Sequence, residues 1–440
     1  MANLIKIKRS NVPGKVPTTT DLELGELAVN TYDGKLYLKK NDGTESIVEI
    51  GTDPGAGNPV ANNLYVAKNG SDLNDGTAIS RPKLTIRAAV LAATAGTTIF
   101  VKAGDYTEIN PIVIPAGVSI VGDNLRAVAV RPSTTNQDLF HLNNGCYLTG
   151  MTFRDHVSPA AAVAFPAAGA GVITTSPYVQ NCSSITTTGT GMRVDGDLAS
   201  GLRSMVVDAY TQYNQGGIGI HMLNRGYTQL VSVFTICCDI AFLCESGGFC
   251  SITNSNTSFG TQGLVADGVS DSLYSGLSNG IDQIGSSIVI DGLSQRPNYG
   301  DAVKFSTDPE YYTIIASTEL VGGSSTITIE EEISTAIPDN TAVTFHQRSL
   351  ISASSHTFEY VGTGNDISTA LPELGGIPVQ ANEVIELNAG KVYFTSTDQE
   401  GDFRIGGDLT INRDTGTITG DTFDRSLFAV LTPYILAIEG

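Results

Sequence analysis

Leu64-Tyr65-Val66-Ala67-Lys68-Asn69-Gly70-Ser71-Asp72, Asn74-Asp75-Gly76, Thr85-Ile86-Arg87-Ala88-Ala89-Val90-Leu91-Ala92-Ala93 and Thr98-Ile99-Phe100-Val101-Lys102-Ala103-Gly104-Asp105-Tyr106-Thr107-Glu108 follow one another in this chain. In physical terms they are a strand, a Gly/Asn/Asp turn, one short Ala-rich helix and then β-branched runs, continuing to Val118-Ser119-Ile120-Val121-Gly122-Asp123. The turns between the later runs are too short to hold a crossover helix. Stacked parallel strands leave an open apolar end, and the Ile86–Ala93 helix, apolar on one side, suits its cover. The order reads as the opening of a capped right-handed parallel β-helix.

Downstream, short apolar runs persist to about Gly268, among them Gly117–Val121, Leu148–Phe153, Met205–Ala209, Gln229–Thr235 and Gly263–Ala266, with Gly, Asn, Asp and Ser between them. Their spacing is roughly 20–25 residues per coil. The Ser/Thr/Asn-rich runs Ser183–Thr190 and Ser251–Ser258 suit side-chain ladders between coils. Residues 63–284 are assigned to this β-helix. From 285 to 349 the alternation is that of antiparallel strands, as in Thr326-Ile327-Thr328-Ile329-Glu330, which predicts a small β domain inserted into the stack or closing it. Residues 350–440 hold one more apolar coil, Leu350–Val361, and a β-rich tail. That tail ends in the apolar stretch Leu427–Ile438, which predicts cover by symmetry mates.

Upstream, Gly25–Thr31, Lys35–Lys40 and Ser46–Ile50 are joined through Asp33-Gly34 and Asn41-Asp42-Gly43. Residues 1–51 therefore predict a three-stranded meander whose core is too small to be comfortable alone. Residues 52–62, with Asp53-Pro54-Gly55-Ala56-Gly57-Asn58-Pro59, read as a linker.

With 440 residues the chain has room for two to four domains; 48 glycines, 7% aromatic content and no Trp fit a turn-dense all-β protein. The formal charge of −20 argues against a nucleic-acid groove or an anionic membrane as partner. No run approaches membrane-spanning length and no leader is visible, so synthesis in a cytoplasm is expected. All six cysteines lie between Cys146 and Cys250. Without C-x-x-C pairs they read as reduced, buried apolar residues, and Cys237 and Cys238, adjacent on a strand, are expected to face opposite ways.

Few residues suggest chemistry. Asp155-His156, Asp195 with Asp197, and His221 near Arg225 are the nearest candidates. Their bland readings are a loop, a solvated turn around Gly196, and a hydrogen-bonded coil residue. Asp72-Leu73-Asn74-Asp75-Gly76 crowds oxygen-bearing side chains at a turn but lacks the alternate spacing and distal Glu of a calcium loop. No catalytic, cofactor-binding or metal-binding residue is assigned, and the chain is expected not to be an enzyme.

The stretch 64–122 resembles the opening coils of pectin-lyase-like β-helix proteins. Some of these degrade pectin, but the sequence patterns Asn-Thr-Asp, Gly-His-Gly and Arg-Ile-Lys associated with that activity are missing here. Leu24–Leu38 resembles a module near the N-terminus of many tailed-phage fibre and tail proteins. Gly217–Gly268, with Phe234-Thr235-Ile236-Cys237-Cys238, resembles virion structural proteins of large contractile-tailed phages of marine cyanobacteria, as do His356–Gly362 and Val392–Asp398 with Gly401-Asp402-Phe403-Arg404. The resemblance implies a rigid tail, baseplate or fibre component assembling through its ends, located in the virion and partnered by other tail or baseplate proteins, and it implies no catalytic residues. A homotrimer is expected. The alternatives are a receptor-binding spike recognising host surface glycan and, further off, a polysaccharide depolymerase. Aromatic residues, which would stack on sugars, look scattered in the sequence.

Overall fold

The protein is described by a computed structural model covering residues 7–50 and 62–359, with the short strands Ile385–Asn388, Lys391–Thr395, Asp408–Ile411, Ile418–Thr422 and Ile435–Glu439. Residues 1–62 and 63–440 form two compact units, each with its own contacts.

In the first unit, β1 (Lys8–Ser10), β2 (Leu27–Asn30), β3 (Lys35–Asn41) and β4 (Glu45–Ile50) form one sheet in that order. The expected meander is present as β2–β4, antiparallel and joined at Gly34 and Gly43, whose φ values of 70° and 109° need glycine. The expectation of three strands is corrected: β1 adds a fourth, parallel to β2. The crossing segment between them delivers the buried Leu22, and the basic Lys8-Arg9 pair gave β1 no alternating signature. The core consists of Leu22, Ala28 and Tyr37, with Ile47 packed against it. The linker assigned to 52–62 lies outside the described residues except Asn62, which already begins a strand.

The second unit is the right-handed parallel β-helix, about ten turns long. One sheet runs through Asn62–Val66, Thr97–Val101, Ser119–Gly122 and Tyr147–Thr149. It continues in the longer strands Tyr178–Thr186, Ser204–Asn214, Tyr227–Ile236, Phe249–Ser258 and Leu350–Glu359. A second sheet runs from Ile112–Ile114 and Phe140–Leu142 through Ala161–Ala164, Thr190–Asp195, Ile218–Leu223, Ile240–Glu245 and Gln262–Asp267. Register puts like on like. Ile99, Ile120, Leu148, Val179, Val207, Leu230, Ile252 and Ala353 stack in one inward column, all fully buried. Each aliphatic side chain in such a column stabilises by about 1.5–3 kcal/mol relative to exposure.

The long strands bend at one level. Gly150, Asn181, Ala209, Ser232 and Asn254 occupy equivalent places and are all left-handed, with φ of 75°, 50°, 50°, 51° and 48°. Asn tolerates this conformation, whereas Ala and Ser hold it only because the stack imposes it. Coil spacing varies more than the sequence suggested, from 21 residues at Thr98–Ser119 to 31 at Tyr147–Tyr178. Side strands at Gly171–Ile173 and Ala199–Gly201 lengthen the coils that contain them.

The cap is as expected. Helix α1 (Ile86–Ala92) starts at Thr85, whose hydroxyl accepts the Ala88 amide at 3.1 Å, and buries Ile86, Ala89 and Val90. The Glu108 carboxylate, itself buried, accepts the Ile86 and Arg87 amides at 2.7 and 3.0 Å and so ties the helix to the next coil.

The antiparallel domain is a closed six-stranded barrel, and it is inserted in the stack: Leu350–Glu359 lies in parallel register on Phe249–Ser258. It starts at Tyr274–Ser278, upstream of the boundary placed at 285. Tyr274 closes the first strand on the last by stacking on Phe345, centroids 4.6 Å apart, a contact that the Ser/Gly-rich sequence around it does not announce. A hydrogen-bonded neck holds the barrel to the helix. The Gly247 amide donates to Ser349 Oγ at 3.0 Å, and Gln347 Nε2 to the Gly247 carbonyl at 2.8 Å.

All six cysteines are buried and free. Cys237 is not on a strand but in a left-handed corner with φ of 60°; both Cys237 and Cys238 are buried, and of the two Cys238 belongs to the core of the stack. Among the described residues no helix is long and apolar enough to cross a membrane. The tail stretch Leu427–Ile438 lies outside the described residues apart from strand Ile435–Glu439, which pairs antiparallel with Lys391–Thr395.

Candidate functional site

Parallel stacking turns residues far apart in sequence into rows. On the outer face of the second sheet, His141, Ala164, Arg193 and His221 occupy one row in successive coils. The Asp138 carboxylate closes the upper part: it receives Arg193 Nη2 at 2.6 Å and the Ala161 amide at 2.8 Å, and lies 3.0 Å from His141 Nε2. Burial alone would raise the Asp138 carboxyl, but the bonds to His141 and Ala161 and the charge of Arg193 hold it below its ordinary value. In the lower part His221 Nε2 meets the Glu245 carboxylate, and that bond outweighs burial and lowers the Glu245 carboxyl. Both acids are therefore anions at neutral pH, each already paired. Glycoside hydrolysis by two carboxyls needs one raised enough to deliver a proton, and this row holds none.

The sequence-derived candidates separate. His221 joins the row, while Arg225 lies 3.6 Å from Asp197 at a turn. Asp195 caps the short 3-10 turn Gly196–Leu198, accepting the Asp197 amide at 3.0 Å and Asn224 Nδ2 at 2.9 Å. Asp155 forms an ion pair with Arg131. His156 lies, as read, in the loop after the strand Thr152–Arg154, and it is fully buried there, with Nε2 3.0 Å from the Thr190 carbonyl. Burial pushes its imidazole down to about 4. Gly189 makes the room, since a Cβ there would come within 2.3 Å of the His156 ring. At the suspected ion loop, Asp72 is spent on the Leu84 and Thr85 amides, both at 2.9 Å, and Asp75 on Thr77 and Arg81. No metal-holding cluster of His, Cys, Asp or Glu occurs among the described residues.

Sequence reasoning missed Asp138, His141, Arg193 and Glu245, because Asp138 and Arg193 are 55 residues apart. It also missed an aromatic grouping on the outer face of the first sheet, so the impression of scattered aromatics is corrected. Tyr147 and Tyr178 are cross-coil neighbours with centroids 6.0 Å apart. Tyr147 Oη donates to Gln180 Oε1 at 2.6 Å, and Gln180 Nε2 donates to Asp208 at 2.8 Å. Tyr227 and Phe249 stack at 4.9 Å.

The class of protein that fold and faces define is a capped parallel β-helix carrying an inserted barrel. Residues 68–154, the cap and first coils, match a family model described as a protein of unknown function, DUF1565. Similar solved structures include a rhamnogalacturonan lyase at 10% identity, covering 46% of this chain and 70% of that one with a TM-score of 0.30. Another is pectin methylesterase PemA from Erwinia chrysanthemi, at 11% identity, 44% and 78% coverage and a TM-score of 0.23. A third, Geobacillus virus E2 ORF18, is 12% identical and spans 92% of this chain and 96% of its own, with a TM-score of 0.16. No curated protein matches the sequence.

Proposed function

We propose that this chain is a structural component of a tailed-phage virion, a rigid rod in the tail, baseplate or fibre, and not an enzyme. The observation that carries the reading is the division of labour along the chain. A continuous capped stack supplies stiffness, while a separate small sheet with a three-residue core leaves Ile7, Val12, Val16, Leu24, Tyr32, Val48 and Ile50 exposed. Such a module is suited to attachment, and three-fold assembly of the chain covers such surfaces. The paired, ionised carboxylates of the second sheet support a structural role for that row.

The test is to locate the chain in purified particles by electron microscopy and to measure its mass in solution. Contacts with other virion proteins at its ends and a trimeric mass are expected; absence from particles or a stable monomer at micromolar concentration overturns the respective part. The Tyr147–Tyr178 pair, flanked by Gln180 and Asp208, favours a second reading, a receptor-binding spike that stacks a host surface glycan on that face. Saturable glycan binding lost in Tyr147→Ala/Tyr178→Ala would decide for it. Release of oligosaccharide by the wild-type chain would overturn the non-enzymatic reading.

A further inference from the structure

Register sorts the side chains of the N-terminal sheet into two faces. Ala28, Asn30, Tyr37 and Lys39 point one way, and Leu27, Val29, Leu36, Leu38, Val48 and Ile50 point the other. The chain covers the first face with the segment between β1 and β2. Asn30 Nδ2 donates to the Val12 and Lys15 carbonyls at 2.9 and 3.1 Å, and Leu22 completes the core with Ala28 and Tyr37. The second face is wholly aliphatic in its two cross-strand rows, Leu27–Leu38–Val48 and Val29–Leu36–Ile50. None of the six belongs to the module's core; four are half-buried, and Val48 and Ile50 are exposed. Asn30 and Lys39 are thus buried while every one of these aliphatic residues keeps contact with solvent. Solvation favours the reverse, so this is a face made to be covered. Charge indicates by what. Residues 1–51 hold seven Lys/Arg and seven Asp/Glu and are neutral, whereas residues 52–440 carry the whole −20. Two copies of the chain therefore repel one another through residues 52–440 and not through this module.

We propose that this face is where copies of the chain meet, its two aliphatic rows packing against the same rows of a second copy. The neutral module is the part of the chain that a second copy approaches without electrostatic penalty, and neither row contains an acidic residue to bury. The face is small. Two rows across three strands span roughly 15 Å by 10 Å. A tight interface buries about 800 Å² on each partner, so association here should be micromolar rather than nanomolar. The inference deepens the three-fold assembly proposed above and rests on that reading only for the number of copies.

The experiment uses the full chain. Sedimentation velocity between about 1 and about 100 µM should show an oligomer that dissociates on dilution. Val48→Lys/Ile50→Lys should move the midpoint to at least about tenfold higher concentration, because two aliphatic side chains become cations inside an apolar contact. Val12→Lys/Val16→Lys, also exposed but on the segment that crosses the other face, should associate as wild type. Protease protection of the first 50 residues checks that each variant folds. Val48→Cys adds a readout that introduces no charge. All six native cysteines are buried, so the new thiol is the accessible one. Its reaction with a water-soluble maleimide should quicken as the protein is diluted through the midpoint, while Val12→Cys should react at one rate throughout. A wild-type chain that stays monomeric to about 100 µM, an unshifted midpoint in the lysine variant, or a Val48→Cys rate independent of concentration overturns the proposal. A trimer that persists in Val48→Lys/Ile50→Lys refutes this face and leaves three-fold assembly standing. Association through this face by a chain absent from virions upholds the proposal and removes the virion reading.

Discussion

The β-helix and the N-terminal module are both small-strand β structures, yet they solve the problem of burial differently. In the helix every strand has a neighbour above and below, and the column from Ile99 to Ala353 is fully buried with no partner chain present. In the module four strands close over Leu22, Ala28 and Tyr37 alone, and seven large apolar residues stay outside. The comparison teaches that repetition in one dimension is self-sufficient except at its ends, whereas a lone four-stranded sheet depends on what it meets. The helix also buries polar groups: the Thr235 and Thr257 hydroxyls lie 2.9 Å apart, and His156 Nε2 lies 3.0 Å from the Thr190 carbonyl.

The sharpest way to break this contrast is to delete interior volume in each region. Leu230→Ala, in the middle of the column, should destabilise the helix by about 2–5 kcal/mol in denaturant melts. Leu22→Ala should abolish protease protection of the first 50 residues while leaving the main transition in place. A shared loss in both variants would mean that the two units fold as one.

Mild acid should act on the helix through its buried imidazoles. Burial pushes His156 down to about 4 and His356 down to about 3. Groups depressed in this way contribute stability that is complete above the unfolded value of about 6.5 and is lost as pH falls through the folded values. Each contributes on the order of 3 kcal/mol. Urea midpoints should therefore fall between pH 6.5 and 4, and the slope should flatten in His156→Gln/His356→Gln. Glu108 works with the opposite sign. Burial raises its carboxyl, so its contribution is present at low pH and declines as pH rises through its folded value.

Glu108→Ala probes whether the cap is needed. It leaves the Ile86 and Arg87 amides without their acceptor and should cost about 1–3 kcal/mol, with faster amide exchange in α1 before the coils beyond it. Unchanged exchange would mean the helix is dispensable. The smallest expected effect is the most direct test of independence. Deleting residues 1–58 should leave a soluble rod whose melting temperature stays within about 2 °C of the full chain, since no core residue of the stack is removed. Such a rod should fail to enter virions in competition with the full chain. A large drop in melting temperature would show that the module supports the stack.

Much of this was legible in the residues themselves. Thr85 and the apolar side of Ile86–Ala92 fixed the capping helix, the Asp-Gly pairs fixed two hairpins, and the alternation of Thr326–Glu330 announced an antiparallel strand. The strand Lys8–Ser10 was illegible because three residues with two charges carry no period, and the barrel began earlier than its alternation because Tyr274 is identified only by the ring it stacks on. The row on the second sheet was illegible for a related reason. His221 was visible as a polar residue in a coil, but nothing in its neighbourhood names Glu245, which reaches it from the next turn.

Local sequence thus determined which segments are strands, where the chain turns, where the stack starts and that its interior is aliphatic, since these depend on propensity and period within a few residues. Only the tertiary structure decided the lateral pairings: Asp138 with His141 and Arg193, Tyr147 beside Tyr178, and the left-handed column through Ala209 and Ser232. Those pairings depend on how many residues each coil spends in its loops, which shifts every later register. A loop shows its length in the sequence but not the neighbour against which that length is counted.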